Sequence, residues 1–312
     1  MFDCPIEESG GVLSGPVRQP LQMLSEQEYG HNGTIHDDAT ARSVGFEGGT
    51  IEGPTHFSQF VPLCHALWGD DWLARGCLSA RYRAPAYEGD SLRAFLRRPD
   101  KDGAVAEIWM QRDDGTEILR GTASLGPDFH DTALTRRLAE LSPARQPVIL
   151  SNVEIGARVP RLPVRLDADR RVGKLYPFSL ADKLRRITEP SPLYTAAQAP
   201  WDRPLVPFEM ISVLMQHSWE DRSVDIKGPA VGLFADQEIR LLDGPVFVGE
   251  DYEVDREVVF LSESRRTESV WIRTRLLRPG SDEVVAEMLL NCAFMKESYA
   301  PYESERKALY GG

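Results

Sequence analysis

The chain has 312 residues and a mass of 35.0 kDa, and its apolar and charged fractions of 42% and 27% are those of a globular protein with a buried core. No window approaches the roughly 18–20 uninterrupted apolar residues of a membrane span, and residues 1–8 lack the pattern of a secretory signal, so we expect a cytoplasmic protein with no membrane partner. The net charge of −12 argues against nucleic acid as a partner, and four cysteines without C-x-x-C spacing predict reduced thiols and no metal site.

The first half of the chain predicts a polar loop, an apolar helix and a set of strands. The loop at residues 31–38 contains two histidines and two aspartates, and residues 53–68 carry apolar side chains at i, i+3 and i+4 with a proline in the first turn, as in a buried helix. The hydrophobic period then changes to two, which predicts strands at residues 77–83, 91–96, 104–111 and 118–125. A short linking helix is predicted at 135–141, and the proline-rich stretch 143–164 predicts a connection between domains.

The second half repeats this order. A loop at residues 189–194 leads to an apolar helix at 208–219, and strands are predicted at 230–241, 252–261, 269–277 and 284–294. The turn 85–90 matches the turn 245–250 at the same internal spacing. A repeat of about 155 residues is too long for a solenoid and predicts two fused copies of one domain, residues 1–145 and residues 146–312.

The loop and helix of each half resemble those of the MaoC-like (R)-specific enoyl-CoA hydratases. The signature of that family is a Gly-Asp-x-Asn-Pro-x-His loop followed by Asp, Ala, Phe and a glycine-containing turn into the central helix. Residues 30–38 read Gly-His-Asn-Gly-Thr-Ile-His-Asp-Asp, and residues 188–195 read Thr-Glu-Pro-Ser-Pro-Leu-Tyr-Thr as a more divergent copy. The resemblance implies an α+β double hotdog, in which each of two fused copies wraps a curved antiparallel sheet around a long central helix.

The resemblance also assigns the candidate site residues. The Asp and His of the family, which activate the water that adds to a thioester double bond, fall on His31 and His36 in the first copy and on Glu189 and Tyr194 in the second. Neither copy therefore keeps the Asp/His pair. The family turn into the helix lacks its histidine here, and His56 is one turn away from that position.

We therefore expect the first copy to be the active one. The predicted catalytic residues are His36, His31 and Asp38, because imidazoles and carboxylates exchange protons near neutral pH. The predicted substrate-binding residues are Glu52, Gly53, His56, Glu189 and Tyr194. The start of a helix, where Gly53 offers an unhindered N–H, suits a thioester carbonyl or its enolate. For each residue a purely structural role, as a turn cap or a solvated loop side chain, stays open.

The predicted function is that of an acyl-CoA hydratase/dehydratase-like lyase acting on a 2-enoyl or 3-hydroxyacyl thioester. Thioester hydrolysis by a hotdog acyl-CoA thioesterase that uses Asp38 or Glu52 is a second possibility, and a non-catalytic acyl-thioester-binding protein is a third. No cofactor is expected, because the chain has neither a G-x-G-x-x-G turn after a strand nor a phosphate-binding G-x-x-x-x-G-K-[ST] motif. The predicted partner is a small-molecule acyl thioester, carried by CoA or a carrier protein, and the expected assembly is a monomer or a homodimer.

Overall fold

The two predicted sets of strands join into one sheet. The computed structural model describes residues 2–30, 32–99, 103–216 and 224–311. Its strands are β1 (Glu7–Ser9), β2 (Val12–Ser14), β3 (Gly33–Thr34), β4 (Gly76–Tyr82), β5 (Leu92–Arg97), β6 (Val105–Arg112), β7 (Glu117–Leu125), β8 (Arg158–Arg165), β9 (Val231–Leu241), β10 (Asp251–Glu263), β11 (Thr267–Leu277) and β12 (Val284–Met295). Their order is β1-β2-β5-β6-β7-β4-β9-β12-β11-β10-β8, and β3 adds to β9.

The strand order is nearly symmetric about its centre. There β4 of the first half pairs antiparallel with β9 of the second, with Ala80 opposite Gln237. On either side of this pair the order runs outward through equivalent strands of the two halves. Such symmetry is what two fused copies of one domain produce. The domain boundary near residue 145 stays a prediction, since the sheet continues from one half into the other.

The helices of the described chain lie between and beside these strands. They are α1 (Asp38–Ser43), α2 (Val61–Trp68), α3 (Asp70–Arg75), α4 (Ala133–Glu140), α5 (Leu180–Leu184), α6 (Phe208–Gln216) and α7 (Tyr302–Tyr310). Residues 217–219 of the predicted second central helix lie outside the described residues. No helix in the described ranges is long and apolar enough to cross a membrane.

The predicted first central helix is present but changes type along its length. Gly53–Phe60 is a 3-10 helix, and α2 continues from it. The cause lies at the junction: Pro62 has no N–H to donate to the carbonyl of Ser58, and the N–H of Val61 uses that carbonyl instead, three residues back. The tighter winding stretches the start of the helix to about 2 Å per residue.

The two central helices pack together on one side of the sheet. Phe208 at the start of α6 contacts Phe57 and Trp72, with ring centroids 6.3 Å and 5.1 Å apart. A second, smaller cluster packs Leu134 of α4 against Trp271 and Leu289. One antiparallel sheet with two packed central helices is the predicted α+β double hotdog, and this prediction is confirmed.

The sequence did not predict the sheet edges. At one edge β1 and β2 form a hairpin beside β5, and at the other β8 pairs with β10. The stretch that forms β8 was predicted to be a connection because it contains Pro160 and Pro163. Proline has no N–H for a central strand, but an edge strand tolerates it.

Candidate active site

A cavity of about 290 Å³ lies where the first copy meets the second. Its wall comes from the loop after β3, the start of the central 3-10 helix, and strands β9 and β12. The apolar part of the wall includes Ile35, Phe46, Ile51, Leu175, Phe234 and Phe294. Four of the sequence-predicted residues, His36, Glu52, Gly53 and His56, line this one cavity. A mostly apolar wall with a few converging polar groups is typical of a small-molecule site.

His36 presents a basic nitrogen. Its Nδ1 lies 2.8 Å from the carbonyl oxygen of Thr50. Because a carbonyl oxygen can only accept, Nδ1 carries the hydrogen and Nε2 carries the lone pair. Burial lowers the pKa of His36 to about 4, although the hydrogen bond to Thr50 acts in the opposite direction. The ring is therefore neutral at pH 7, with Nε2 able to accept a proton.

A set of polar side chains holds the loop around His36. The amide of Gln22 donates to the carbonyls of His36 and Thr50, both over 3.0 Å. The N–H of His36 donates to the hydroxyl of Thr34 over 3.2 Å, and this hydroxyl donates to Gln27 over 2.6 Å. These contacts fix the position of the imidazole, as outer-shell partners do in other sites. No sequence motif marks Gln22, Thr34 or Gln27 as part of a site.

Glu52 is a buried carboxyl group on the same cavity. Only 6% of the residue is exposed, and burial raises its pKa to about 7. The positive charge of Lys183 and a hydrogen bond from Tyr176 oppose this rise, whereas the charge of Glu209 adds to it. Glu52 therefore keeps its proton up to about neutral pH, and its pKa is shifted in the opposite direction to that of His36.

Gly53 supplies a backbone donor beside these two groups. It is the first residue of the 3-10 helix, and its N–H has no hydrogen-bond partner in the part of the chain that the structure describes. A Cβ at this position would lie 2.5 Å from Cζ of Tyr82, whose hydroxyl donates to Gln237 over 2.8 Å. Only glycine fits without moving that ring. An N–H at a helix start is well suited to an oxyanion.

A buried ion pair lies between the two central helices, next to the cavity. Nζ of Lys183 is 2.9 Å from Oε2 of Glu209, and both side chains are almost fully buried. Lys183 also donates to the hydroxyl of Thr55 over 2.8 Å, and the hydroxyl of Ser58 donates to Glu209 over 2.9 Å. Together with burial, the charge of Lys183 lowers the pKa of His56 to about 3, which keeps that imidazole neutral.

The other two predicted catalytic residues are His31 and Asp38. His31 lies outside the described residues, and its role stays a prediction. Asp38 is exposed and does not line the cavity. Its carboxylate accepts the N–H of Gly49 over 2.7 Å and pairs with Arg42 over 3.1 Å, and these contacts lower its pKa. Asp38 thereby fixes the turn that leads to Thr50.

Backbone hydrogen bonds identify the corresponding residues of the second copy. The N–H of Thr50 donates to the carbonyl of Ile35, the residue before His36, over 2.9 Å. In the second copy the N–H of Leu205 donates to the carbonyl of Leu193, the residue before Tyr194, over 2.7 Å. The N–H of Ile51 donates to the carbonyl of Ala86 in the turn 85–90 over 2.7 Å, and the N–H of Val206 donates to the carbonyl of Val246 in the turn 245–250 over 2.9 Å. Tyr194 therefore corresponds to His36, as the sequence predicted.

One residue further on, the same correspondence places Pro207 at the position of Glu52. The second copy therefore lacks both groups whose pKa values are shifted apart in the first copy. Pro207 has no side-chain acid, and burial together with nearby carboxylates raises the pKa of Tyr194 above its ordinary value. A phenol of this kind cannot act as a base near neutral pH.

The predicted substrate-binding residues Glu189 and Tyr194 do not line the cavity either. The N-terminal segment packs on both. Nε and Nη2 of Arg18 donate to the two carboxylate oxygens of the buried Glu189, over 2.7 Å and 3.0 Å. The ring of Phe2 lies edge-on to Tyr194, with centroids 6.0 Å apart. Cys4 also hydrogen-bonds to Glu189, and burial raises the pKa of this thiol to about 12.

Comparison with known proteins supports the fold. No family model matches the sequence, and no curated protein sequence matches it. A structure from Chloroflexus aurantiacus J-10-fl, described as a MaoC domain protein dehydratase, is similar over 95% of both chains, with a TM-score of 0.53 and 14% identity. At this identity the likeness shows a shared fold and no more.

Two further solved structures are less similar. A conserved protein of Mycobacterium tuberculosis with a double hotdog fold matches 83% of this chain and 86% of its own, with 12% identity and a TM-score of 0.49. The dehydratase domain of PpsC from the same organism, solved in complex with C12:1-CoA, matches 94% and 97%, with 8% identity and a TM-score of 0.47.

Proposed function

We propose that this protein adds water to a 2-enoyl thioester, or removes it from a 3-hydroxyacyl thioester, with His36 and Glu52 as its proton-transfer pair. The observation that carries the proposal is that both groups line one cavity and have pKa values shifted in opposite directions, to about 4 and about 7. At a pH between these two values, His36 is an unprotonated base and Glu52 is a protonated acid. General acid–base catalysis requires both forms to be present together. The resemblance to the MaoC-like hydratases supports the same reaction.

In the hydration direction, Nε2 of His36 takes a proton from water, and the water oxygen bonds to the β-carbon of the thioester. The electrons of the double bond move to the α-carbon and the carbonyl oxygen, which accepts the N–H of Gly53 as negative charge develops. Glu52 then delivers its proton to the α-carbon. A proton passes from the imidazolium to the Glu52 carboxylate, directly or through solvent, and this restores the starting state.

The second candidate is thioester hydrolysis, and the specific observation in its favour is the buried carboxyl group of Glu52. Above about pH 7 this carboxyl group is ionised. It could then activate a water molecule that attacks the thioester carbon while Gly53 holds the oxygen. Asp38, the other sequence candidate for this role, is fixed in a turn away from the cavity. A protein that only binds acyl thioesters is the third candidate.

The test is an incubation with crotonyl-CoA and with a longer 2-enoyl-CoA, in which enone absorbance and free thiol are followed together. Hydration consumes the enone without releasing thiol, whereas hydrolysis releases thiol. Binding without either change identifies the third candidate, and stabilisation against heat by the ligand would detect it.

Variants then test the assigned residues. His36→Ala and Glu52→Gln should each lower kcat/KM about 10²- to 10⁴-fold, which is the usual effect of losing a general acid or base. Glu47→Gln, an exposed glutamate of the same loop, is the matched control and should leave the rate unchanged. The proposal fails if no 2-enoyl thioester is hydrated, or if His36→Ala hydrates it as fast as the native protein.

A further inference from the structure

The acid Glu52 shares its buried surroundings with one ammonium group and a second carboxyl group. Nζ of Lys183, on α5, lies 2.9 Å from Oε2 of Glu209, on α6, and both side chains are almost fully buried. Lys183 also donates to the hydroxyl of Thr55 over 2.8 Å, and the N–H of Thr55 donates to the carbonyl of Glu52 over 3.1 Å. The ion pair therefore lies beside the helical turn that Glu52 precedes, and its two charges act on the pKa of Glu52 in opposite directions.

The other titratable groups on the cavity wall add little charge near Glu52. Phenols and thiols are neutral at pH 7 by their ordinary pKa values, and burial lowers the pKa values of both imidazoles far enough that they are neutral as well. These neutral groups are Tyr29, Tyr82, Tyr176, Cys292, His36 and His56. Arg83 is charged, but its side chain is exposed and pairs with Glu117 over 3.2 Å. Among the described residues, Lys183 and Glu209 are therefore the charges that act most strongly on this acid.

Charge balance in this buried cluster decides which carboxyl group keeps a proton. One ammonium group neutralises one carboxylate, and a second ionised carboxylate would leave a net negative charge away from water. Glu209 has the direct contact with Lys183 and also accepts the hydroxyl of Ser58 over 2.9 Å, and both contacts stabilise its charged form. Glu52 is therefore the carboxyl group without a cation of its own, and the one that keeps its proton.

We propose that Glu209 is a positioning residue for hydration: by pairing with Lys183, it keeps on Glu52 the proton that this acid delivers to the α-carbon. The inference rests on the proposed function for the role of that proton. Without the carboxylate of Glu209, the ammonium group would pair with Glu52 instead, and an ionised Glu52 has no proton to deliver. Without both charges, Glu52 would again be a lone buried carboxyl group and would keep its proton. A residue of the second copy thus sets the protonation of the acid in the first.

The pH profile of hydration tests this inference. The kcat/KM is measured from pH 5 to pH 9 for the native protein and Glu209→Gln, with the 2-enoyl-CoA that the native protein hydrates fastest. The native rate should fall above about pH 7, whereas the rate of the variant should fall from about pH 4.5, the ordinary pKa of a glutamate. The variant should therefore be about 100-fold slower at pH 7 but only about fivefold slower at pH 5. An equal loss at both pH values would indicate a structural defect and would overturn the inference.

Companion variants separate the effect of charge from that of packing. Lys183→Met leaves two carboxyl groups without a cation, so its rate should stay level to a higher pH than that of the native protein. Lys183→Met combined with Glu209→Leu removes both charges and should restore the rate at pH 7 to within about tenfold of the native value, because apolar side chains often replace a buried ion pair without loss. Glu268→Gln is the matched control. Glu268 is also buried, accepts the N–H groups of Val148 and Leu150 and does not line the cavity, so the pH at which the rate falls should not change.

Thermal melting establishes which variants fold, and if Glu209→Gln does not, Lys183→Met and the double variant decide the question. A rate that falls at the same pH in the native protein and in Glu209→Gln or Lys183→Met would overturn the inference and leave the reaction in place. A double variant whose rate falls well below pH 7 would also overturn it, because neither charge is then present to remove the proton.

A direct titration of Glu52 separates this inference from the proposed reaction. If the native protein hydrates no 2-enoyl-CoA, the proposed function fails, but the proton on Glu52 can still be followed. The signal comes from ¹³C NMR of protein labelled at the glutamate carboxyl carbons, and Glu52 is assigned by its loss in Glu52→Gln. Its titration midpoint should move from about pH 7 in the native protein to about pH 4.5 in Glu209→Gln. An unchanged midpoint would overturn the inference whatever the activity.

Discussion

Replacing Glu52 with glutamine should change how the stability of the protein depends on pH. The pKa of Glu52 is raised from its ordinary 4.5 to about 7 in the folded protein. The unfolded chain therefore loses this proton from pH 4.5 upward, whereas the folded protein keeps it up to about pH 7, so stability is lost as the pH rises between these values. The full difference of about 2.5 in pKa corresponds to about 3 kcal/mol, of which about 2–3 kcal/mol falls between pH 5 and pH 8.

The assay is urea unfolding of the native protein and Glu52→Gln at pH 5 and pH 8. Glutamine carries no charge at either pH, so the stability of the variant relative to the native protein should rise by about 2–3 kcal/mol from pH 5 to pH 8. The neutral His36 and His56 titrate in both proteins, and their contributions largely cancel in the comparison. Glu47→Gln should show no such change. A difference that is the same at both pH values would refute a raised pKa for Glu52, and with it the role of this group as the acid.

Three further predictions concern the stability of the protein and the pH dependence of its rate. Arg18→Ala should lower the free energy of unfolding by about 3 kcal/mol in urea titrations, because it leaves the carboxylate of Glu189, 3% exposed, without its cation. Gly53→Ala should cost about 1–3 kcal/mol, because the new Cβ would lie 2.5 Å from the ring of Tyr82; an unchanged melting temperature would contradict this contact. The kcat/KM for hydration should fall about tenfold per pH unit above pH 7, where Glu52 loses its proton, and a rate that stays level to pH 9 would exclude this acid.

The sequence predicted β5, β6 and β10 well because each of these strands has one buried face, and it predicted β4, β11 and β12 because they are apolar runs that are buried along most of their length. In β6 and β10 buried residues alternate with partly exposed ones along the strand, which is the period-two pattern that a sequence displays directly. The edge strand β8 has a single buried residue, Val164, and two prolines, so no such pattern marks it. A strand whose faces are both largely exposed is defined by its backbone pairing, and backbone pairing leaves little trace in the side chains.

The site was predicted only in part, for a related reason. Its position at the loop and helix start of the first copy followed from local motifs, and His36, Glu52, Gly53 and His56 do line one cavity. The charges that act on this cavity come from distant parts of the chain. Glu209 could have been noticed as the one charged residue in the apolar run 206–215, but Lys183 lies on a five-residue helix with no distinguishing motif. Only the packing of the two central helices brings these charges together.

The two copies differ at the positions of the candidate proton-transfer groups. The second copy has Tyr194 and Pro207 where the first has His36 and Glu52, and Arg18 neutralises its buried Glu189. The second copy therefore has no base near neutral pH at Tyr194, no side-chain acid at Pro207 and no unpaired carboxylate at Glu189.

The second copy nevertheless contributes to the first site. Strands β9 and β12 supply part of the cavity wall, and α6 supplies the carboxylate that pairs with Lys183. A chain that ended before β9 would expose the apolar wall to water, which opposes folding. A chain of residues 1–145 would also lack Lys183 and Glu209, which hydrogen-bond to Thr55 and Ser58 of the first copy. The candidate cavity therefore depends on residues of both copies.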